Sequence, residues 1–153
     1  MMIRRLPLVL LACLLLASCG HNDVDTHKGQ PATKRKLIFK EILRSFEPMG
    51  LVMRGRNPYD QAEFLQYASK LQTLSTQPWQ YFGPDSNYSP TRAKPDVWDK
   101  PVEFKQAQQK FIDAAAKLNA TAKTGDFDAI HRDFAAVEDS CKSCHQQFRG
   151  IPH

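Results

Sequence analysis

The sequence predicts an all-α protein that folds as an antiparallel four-helix bundle. Apolar residues recur at three- and four-residue steps in four separate segments, and no segment alternates apolar and polar residues as a half-buried β-strand does. Two short connections and one long one join the segments, which suits a bundle. The chain has 153 residues, of which 42% are hydrophobic and 24% charged. This composition is typical of one globular domain with its own core.

The first predicted helix runs from Lys34 to about Arg54, and the second begins after Asp60. Pro48 is expected to kink the first helix or to end its regular part, because proline cannot donate the helical hydrogen bond. Asp60 is a residue type that caps helix N-termini through its carboxylate. The two apolar stripes consist of Phe39, Ile42, Leu43, Phe46 and Met49, and of Phe64, Leu65, Ala68, Leu71 and Leu74.

The third predicted helix begins after Pro101 and ends at Gly125, and the fourth starts at Asp126. Glycine commonly ends a helix, because it adopts the left-handed conformation at little cost. Residues 77–98 form the long connection, which is rich in proline and holds both tryptophans. A loop of this length is either functional or disordered, and its aromatic content favours a packed, functional loop. The apolar stripes are Phe104, Ala107, Phe111, Ala114, Leu118 and Ala122, and Phe127, Ile130, Phe134, Val137 and Cys141.

The first 20 residues have the features of an export signal. Arg4 and Arg5 precede an apolar run over residues 6–16, which is short for a membrane span. The segment Leu16-Ala17-Ser18-Cys19 resembles the lipobox of bacterial lipoproteins, in which the cysteine is lipidated and becomes the mature N-terminus. A plain secretory signal cut near Ser18 is the alternative.

The chain is therefore expected to have three parts. Residues 1–18 are the predicted lipoprotein-type signal peptide, residues 19–33 a flexible tether that begins at the lipid attachment site Cys19, and residues 34–153 the bundle domain. Either type of signal places the domain in the periplasm. Gly20, rather than aspartate, follows the cysteine, and in lipoproteins generally this favours an anchor in the outer membrane.

The charge of the chain does not indicate a nucleic-acid partner. The formal net charge is +5 for the full sequence. Without Arg4 and Arg5, 19 basic and 16 acidic residues remain, so the charge of the mature chain is +3. These charges are scattered and few, and we expect no nucleic acid as partner.

The residues Cys141-Lys142-Ser143-Cys144-His145 have the C-x-x-C-H spacing of c-type haem attachment. Positions i and i+3 of a helix share a face, so both thiols can reach the two vinyl groups of one porphyrin. His145 then offers an imidazole nitrogen to the iron. We predict one haem c, bound covalently through Cys141 and Cys144 near the C-terminal end of the fourth helix, with His145 as the metal ligand.

Two other uses of these residues have less support. A thiol–disulfide motif needs its attacking cysteine at a helix N-terminus, where the helix dipole stabilises the thiolate, but this pair lies near a helix C-terminus. A zinc site would need a fourth ligand besides the three residues of the motif. Only His131, His153 or the tether histidines remain for that role, and their spacing does not fit.

Short segments along residues 34–150 match one family in their order and spacing. They are Arg35-Lys36-Leu37-Ile38-Phe39, Gly55–Asp60, Pro78-Trp79, Lys94–Trp98, Lys117-Leu118 with Gly125-Asp126, and Cys141–Arg149. With the haem motif at the end of the last of four helices, this arrangement resembles the cytochrome c-prime family, the four-helix-bundle class of c-type cytochromes. The resemblance implies the same bundle, and commonly a homodimer formed through the first two helices. It also implies a protein that binds nitric oxide or carbon monoxide, or that carries electrons to a redox partner still unidentified.

Under this resemblance, the residue at position 39 decides the chemistry of the iron. The family aligns Phe39 with the residue over the sixth coordination site, which is methionine in low-spin members and a non-ligating apolar residue in high-spin ones. Phenylalanine cannot ligate iron, and Met49 and Met53 lie about 15 and 21 Å further along the helix. We predict five-coordinate, high-spin iron that binds diatomic gases; a low-spin electron carrier of a membrane respiratory chain is the alternative. An enzyme such as a peroxidase would need an acid or base over the iron, and none is expected there.

The resemblance assigns two further residues to the haem pocket, Arg35 and Arg149. Arg35 has a family counterpart that pairs with a haem propionate, and a solvated arginine is the alternative. Arg149 follows His145 by four residues and can lie over the proximal side of the ring. Trp79 and Trp98 are expected to pack around the haem edge, and a role as electron conduits is the alternative. Lys36 stands where many family members have glutamine, so the polar contact of that glutamine is not expected here.

Overall fold

The bundle helices lie where the sequence predicts them. A computed structural model describes residues 24–150; the predicted signal peptide and Cys19 lie outside these residues. The helices are α1 (Pro31–Met53), α2 (Gln61–Ser75), α3 (Asp96–Asp99), α4 (Pro101–Thr124) and α5 (Phe127–Phe148). The four predicted helices are thus α1, α2, α4 and α5, and α3 is an additional single turn. Among the described residues, no helix has the length and apolar character needed to cross a membrane.

α1 is longer than expected at its start and is not ended by its internal proline. It begins at Pro31, three residues before the predicted boundary, because proline is well tolerated at the first helical position. Pro48 removes one backbone hydrogen bond, yet the helix continues to Met53. The next residue, Met49, is fully buried in the core. Tertiary packing of this kind outweighs the local preference for a helix end.

The residues before α1 are packed against the domain from Asp25 onwards. The Asp25 side chain accepts hydrogen bonds from the backbone N–H groups of Thr33 at 3.0 Å and His27 at 3.2 Å, and from the Tyr88 hydroxyl at 3.0 Å. The His27 ring stacks on Tyr88 with 3.3 Å between centroids. Burial acts to raise the pKa of Asp25, but these hydrogen bonds together hold that pKa below its ordinary value. Part of the segment predicted as a tether is therefore held by side-chain contacts.

The predicted cap Asp60 is confirmed, and Asp126, predicted as the first residue of the fourth helix, is the N-cap of α5. The Asp60 carboxylate accepts a hydrogen bond from the backbone N–H of Glu63 at 2.8 Å, and the Asp126 carboxylate accepts one from Ala129 at 3.0 Å. Gly125 ends α4 with φ 75°, in the left-handed region where a side chain would be strained. These local devices set the two short connections, and hence the antiparallel order of the helices.

The core lies between the four long helices. α4 packs against both α2 and α5, and α1 packs against α2. The Phe46 ring of α1 stacks on the Phe134 ring of α5 with 4.4 Å between centroids, which joins the first helix to the last. The buried residues of this main core are Ile42, Met49, Phe64, Ala68, Leu71, Phe111, Ala115, Leu118, Ala122, Ile130, Phe134 and Val137.

The long connection is packed, as predicted, and contains more regular structure than the sequence indicated. Besides α3, it has 3₁₀ turns at Trp79–Tyr81 and Pro84–Ser86. The Trp79 indole N–H donates to the Ser75 carbonyl oxygen at 2.7 Å, and the Trp98 indole N–H donates to Gly83 at 2.8 Å. Both tryptophans therefore have a polar partner within the protein as well as apolar neighbours.

The cap of α5 provides a test of the fold. Asp126→Ala removes the acceptor for the Ala129 N–H and should lower the free energy of unfolding by about 1 kcal/mol. Asp126→Asn keeps an acceptor oxygen and serves as the control, with a change of a few tenths of a kcal/mol. Urea unfolding of the haem-loaded protein, followed by circular dichroism, measures both. Equal losses in the two variants would show that capping is not what Asp126 contributes.

Candidate functional site

The C-x-x-C-H motif lies in the last two turns of α5. Cys141 packs against the main core, whereas Cys144 packs against a second apolar cluster at the end of the bundle. Both thiols are half-buried, and they form no disulfide. This second cluster, called the end cluster below, consists of Val97, Phe104 and Phe148 with Trp79, Phe82, Ala93, Trp98, Ala107 and Cys144. One turn of helix therefore presents two thiols between apolar walls, which suits a large apolar cofactor.

The ionisation of the thiols argues against a redox motif. Burial raises the pKa of Cys141 above its ordinary value, and burial together with the neighbouring Cys141 raises that of Cys144 to about 11. A thiol–disulfide exchange site needs the opposite shift, because its reactive form is the thiolate. A zinc site is equally unsupported. Residues 24–150 contain no group of three or more His, Cys, Asp or Glu side chains that could hold a metal ion.

Backbone hydrogen bonds from the long connection hold the end of α5. The Lys94 N–H donates to the Phe148 carbonyl oxygen at 2.9 Å, and the Gly150 N–H donates to that of Arg92 at 2.7 Å. These antiparallel bonds pair residues 92–94 with the last residues of the described chain. They therefore fix the turn that carries His145.

The surroundings of His145 favour a neutral imidazole. Its side chain is exposed and has no hydrogen-bond partner among residues 24–150. Partial desolvation and the positive charges of Arg149 and Arg92 lower its pKa. A neutral imidazole has a free nitrogen lone pair, which a metal ligand needs. Arg149 thus lies close to His145, and its place over the proximal side of the haem stays a prediction. Arg92 was missed, because it lies in the long connection and is brought to His145 only by the fold.

Phe39 and Trp79 both pack against the main core, and Trp79 also belongs to the end cluster. The half-buried Phe39 ring meets Trp79 edge-on with 5.7 Å between centroids, and Phe82 with 6.4 Å. Trp79 also pairs with Phe104 and Phe111. Phe82 was not among the predicted site residues. The aromatic content of the long connection was the available signal, but it did not distinguish one ring from another.

The Arg35 guanidinium has its partners within the protein. It is 5% exposed. Nη1 donates to the Tyr81 carbonyl oxygen at 2.7 Å and to Ser86 Oγ at 3.0 Å, and Nη2 donates to the Ser86 carbonyl oxygen at 3.0 Å and to Thr91 Oγ1. A solvated arginine, one of the two alternatives, is therefore wrong. The terminal N–H groups that would serve a propionate are directed to the long connection in this structure.

The side chains of the described residues that could serve as a sixth iron ligand lie away from Phe39 or have other contacts. Met49 lines a small cavity with Asn57 and Phe64, where α1 ends and α2 begins. Among the remaining histidines of the described chain, His131 is exposed on α5 and His27 stacks on Tyr88. Core packing is thus the role of Met49, as predicted.

The comparison with known proteins agrees with this geometry. A family model described as Cytochrome C' matches residues 30–149. The chain belongs to the cytochrome c' family. The cytochrome c' of Alcaligenes xylosoxydans xylosoxydans is 40% identical over 123 residues, which are 80% of this chain and 95% of the relative.

Solved structures of the family have the same fold. A nitric oxide complex of a mutant cytochrome c prime from Alcaligenes xylosoxidans superposes with a TM-score of 0.77 at 34% identity, covering 84% of this chain and 100% of that one. A carbon monoxide-bound variant of the same protein has the same TM-score, identity and coverage. The predicted four-helix bundle is confirmed.

Family membership also settles the cofactor. Cytochromes c' carry covalently attached haem c, and in this family member Cys141 and Cys144 hold it. The neutral, half-buried thiols and their apolar walls fit this attachment. The family comprises haem proteins that bind gases or transfer electrons, not enzymes, in agreement with the prediction.

The attachment can be tested by mass and by extraction. The wild-type protein should exceed the mass of its mature apo-chain by one haem, and acid-acetone should not extract that haem. Cys141→Ser combined with Cys144→Ser should make it fully extractable, because no thioether can form. Ser143→Ala, between the two cysteines, is the control and should retain its haem. Wild-type protein without the added mass, after expression with a working maturation system, would contradict the assignment.

Proposed function

We propose that this cytochrome c' binds nitric oxide or carbon monoxide at a five-coordinate, high-spin haem iron, with His145 as its only protein ligand. The haem supplies the iron that coordinates the gas, and the residues of the chain decide which ligands reach it. The proposal rests on the identity of the residue at position 39, which is phenylalanine. Its side chain cannot ligate iron, and the methionines of α1 lie toward the opposite end of the helix.

The aromatic contacts of Phe39 support a crowded pocket. Its ring is held edge-on by Trp79 and Phe82, so it has little room to turn aside. A gas that enters must displace this ring at a cost in free energy. Nitric oxide bonds to ferrous haem more strongly than carbon monoxide does, so it offsets this cost better. We therefore propose nitric oxide as the favoured ligand.

The proximal side supports the same function. The charges of Arg92 and Arg149 disfavour protonation of His145, so its imidazole keeps the lone pair that binds iron. The pairing of residues 92–94 with the end of α5 also holds this turn in place. Two variants of one related protein have been solved, one with nitric oxide and one with carbon monoxide bound, which supports gas binding here as well.

We further propose an exported, lipid-anchored protein. Residues 1–18 would be removed as a signal peptide, and Cys19 would carry the lipid that holds the domain at the periplasmic side of the outer membrane.

A homodimer through α1 and α2 is also proposed, and the exposed Leu37 and Leu43 on α1 provide apolar surface for it. Sedimentation of the purified protein tests this: a monomer at all accessible concentrations would exclude the dimer.

Access to the iron should depend on Phe39. Phe39→Ala should speed carbon monoxide binding to the ferrous protein by about tenfold or more, which corresponds to about 1.4 kcal/mol of barrier per factor of ten. Stopped-flow absorbance measures this rate. Because the ring is only half-buried, the loss of stability should be below the roughly 3–5 kcal/mol of a fully buried phenylalanine.

The Phe39→Met variant tests the coordination of the iron by optical spectroscopy, since a methionine sulfur can ligate iron. Its optical spectrum should move towards a low-spin, six-coordinate form, whereas the wild-type ferrous protein should be high-spin. A low-spin wild-type spectrum, or unchanged carbon monoxide kinetics in Phe39→Ala, would favour the electron carrier instead. A carrier gains from six fixed ligands, because they limit the reorganisation that accompanies electron transfer.

The lipid anchor should depend on Cys19. Wild-type protein should partition into detergent and sediment with membranes, and Cys19→Ser should abolish lipid attachment. Mass spectrometry of the mature N-terminus distinguishes the two forms. Cys13→Ser, within the apolar run of the signal, is the matched control and should leave the anchor intact. Unlipidated wild-type protein in the soluble periplasm would support the plain secretory signal.

A further inference from the structure

Arg35 fixes a segment of the long connection. Its four terminal hydrogen bonds reach residues from Tyr81 to Thr91. The partners are themselves held: Ser86 Oγ donates to the Gly83 carbonyl oxygen at 2.7 Å, and Thr91 Oγ1 accepts from the Ala93 N–H at 3.1 Å. A buried cation is tolerated only when its donors are satisfied, and here the acceptors all come from this one segment.

The same guanidinium lies on Phe82. The central guanidinium carbon of Arg35 lies 4.6 Å from the centroid of the Phe82 ring. The Phe39 ring also contacts Phe82, edge-on, with 6.4 Å between ring centroids. Arg35 and Phe39 are four residues apart on α1 and therefore share a face of the helix. Phe82 is thus held by two side chains of one helix face, and the hydrogen bonds of Arg35 fix the backbone on either side of it.

We propose that Arg35 is a positioning residue for gas access, which acts by holding Phe82 against Phe39. Phe82 then limits the movement by which Phe39 would uncover the iron. This inference rests on the proposed function, in which Phe39 covers the sixth coordination position. This task is separate from the propionate contact implied by the family resemblance, and it rests on the hydrogen bonds of Arg35 to the long connection.

The chemistry requires arginine rather than a cation of any kind. A guanidinium is planar, so it can stack on a phenyl ring while its edges donate four hydrogen bonds in one plane. A lysine ammonium keeps the charge but has three donors and no flat surface. Arg35→Lys therefore tests the contact with Phe82 and the loop while it preserves the charge near the haem.

The experiment measures carbon monoxide association in the haem-loaded ferrous protein for Arg35→Lys, Phe82→Leu and the double variant. Each single variant should bind carbon monoxide about fivefold faster than wild type, because Phe39 is less restrained. The double variant should be no faster than Phe82→Leu within about twofold, because Arg35 acts through Phe82. A merely structural role would not produce this lack of additivity.

Phe46→Leu is the matched control. Phe46 is also a half-buried phenylalanine packed on another ring, but it pairs with Phe134 in the main core. Its variant should lose stability to a similar extent while its carbon monoxide rate stays within about twofold of wild type. Thermal unfolding of every variant is recorded alongside. A faster rate in Phe46→Leu would show that general loosening of the bundle, and not the contact with Phe82, controls access.

Two other outcomes would overturn the inference. If Arg35→Lys and Phe82→Leu leave the rate unchanged while Phe39→Ala increases it, Arg35 does not control access and the proposed function stands. If the effects of Arg35→Lys and Phe82→Leu are additive, Arg35 acts independently of Phe82, as a propionate partner would. If Arg35→Lys, Phe82→Leu and Phe39→Ala all leave the carbon monoxide rate unchanged, the result contradicts the proposed function as well.

Discussion

The pairing of residues 92–94 with the end of α5 is the contact on which the site depends. A helix terminus frays easily, because its last carbonyl groups have no partner within the helix. Here the Phe148 carbonyl oxygen receives the Lys94 N–H at 2.9 Å, one turn beyond the haem-binding motif. The same pairing brings Arg92 beside His145. The long connection thus both holds the turn that carries His145 and sets the charge around that side chain.

The protonation of the motif follows from where it lies. Burial keeps both thiols neutral, and the pKa of Cys144 rises to about 11. Desolvation and two nearby cations keep the imidazole of His145 neutral as well. An identical five-residue motif at a helix N-terminus would lie at the positive end of the helix dipole, which favours the thiolate over the thiol. The position in the bundle therefore separates haem attachment from disulfide chemistry.

Different kinds of interaction surround the two parts of the site. Cations and backbone hydrogen bonds surround the end of α5, whereas aromatic rings surround Phe39. One buried guanidinium, that of Arg35, joins the aromatic side to the long connection. Under the proposed function, access for a gas depends on the whole ring cluster and not on Phe39 alone, because neighbouring rings pack against Phe39.

The sequence by itself determined the helices, their caps and the haem motif. Helical periodicity, Asp60, Asp126 and Gly125 are local signals, and C-x-x-C-H needs only the spacing of one helix. Phe39 and Arg149 were assigned by family resemblance, which reflects the same bundle. Only the tertiary structure decided that α1 continues past Pro48, that Arg35 donates to the long connection, and that Arg92 and Phe82 belong to the site. These features depend on contacts between residues far apart in the chain, for which no spacing in the sequence provides a signal.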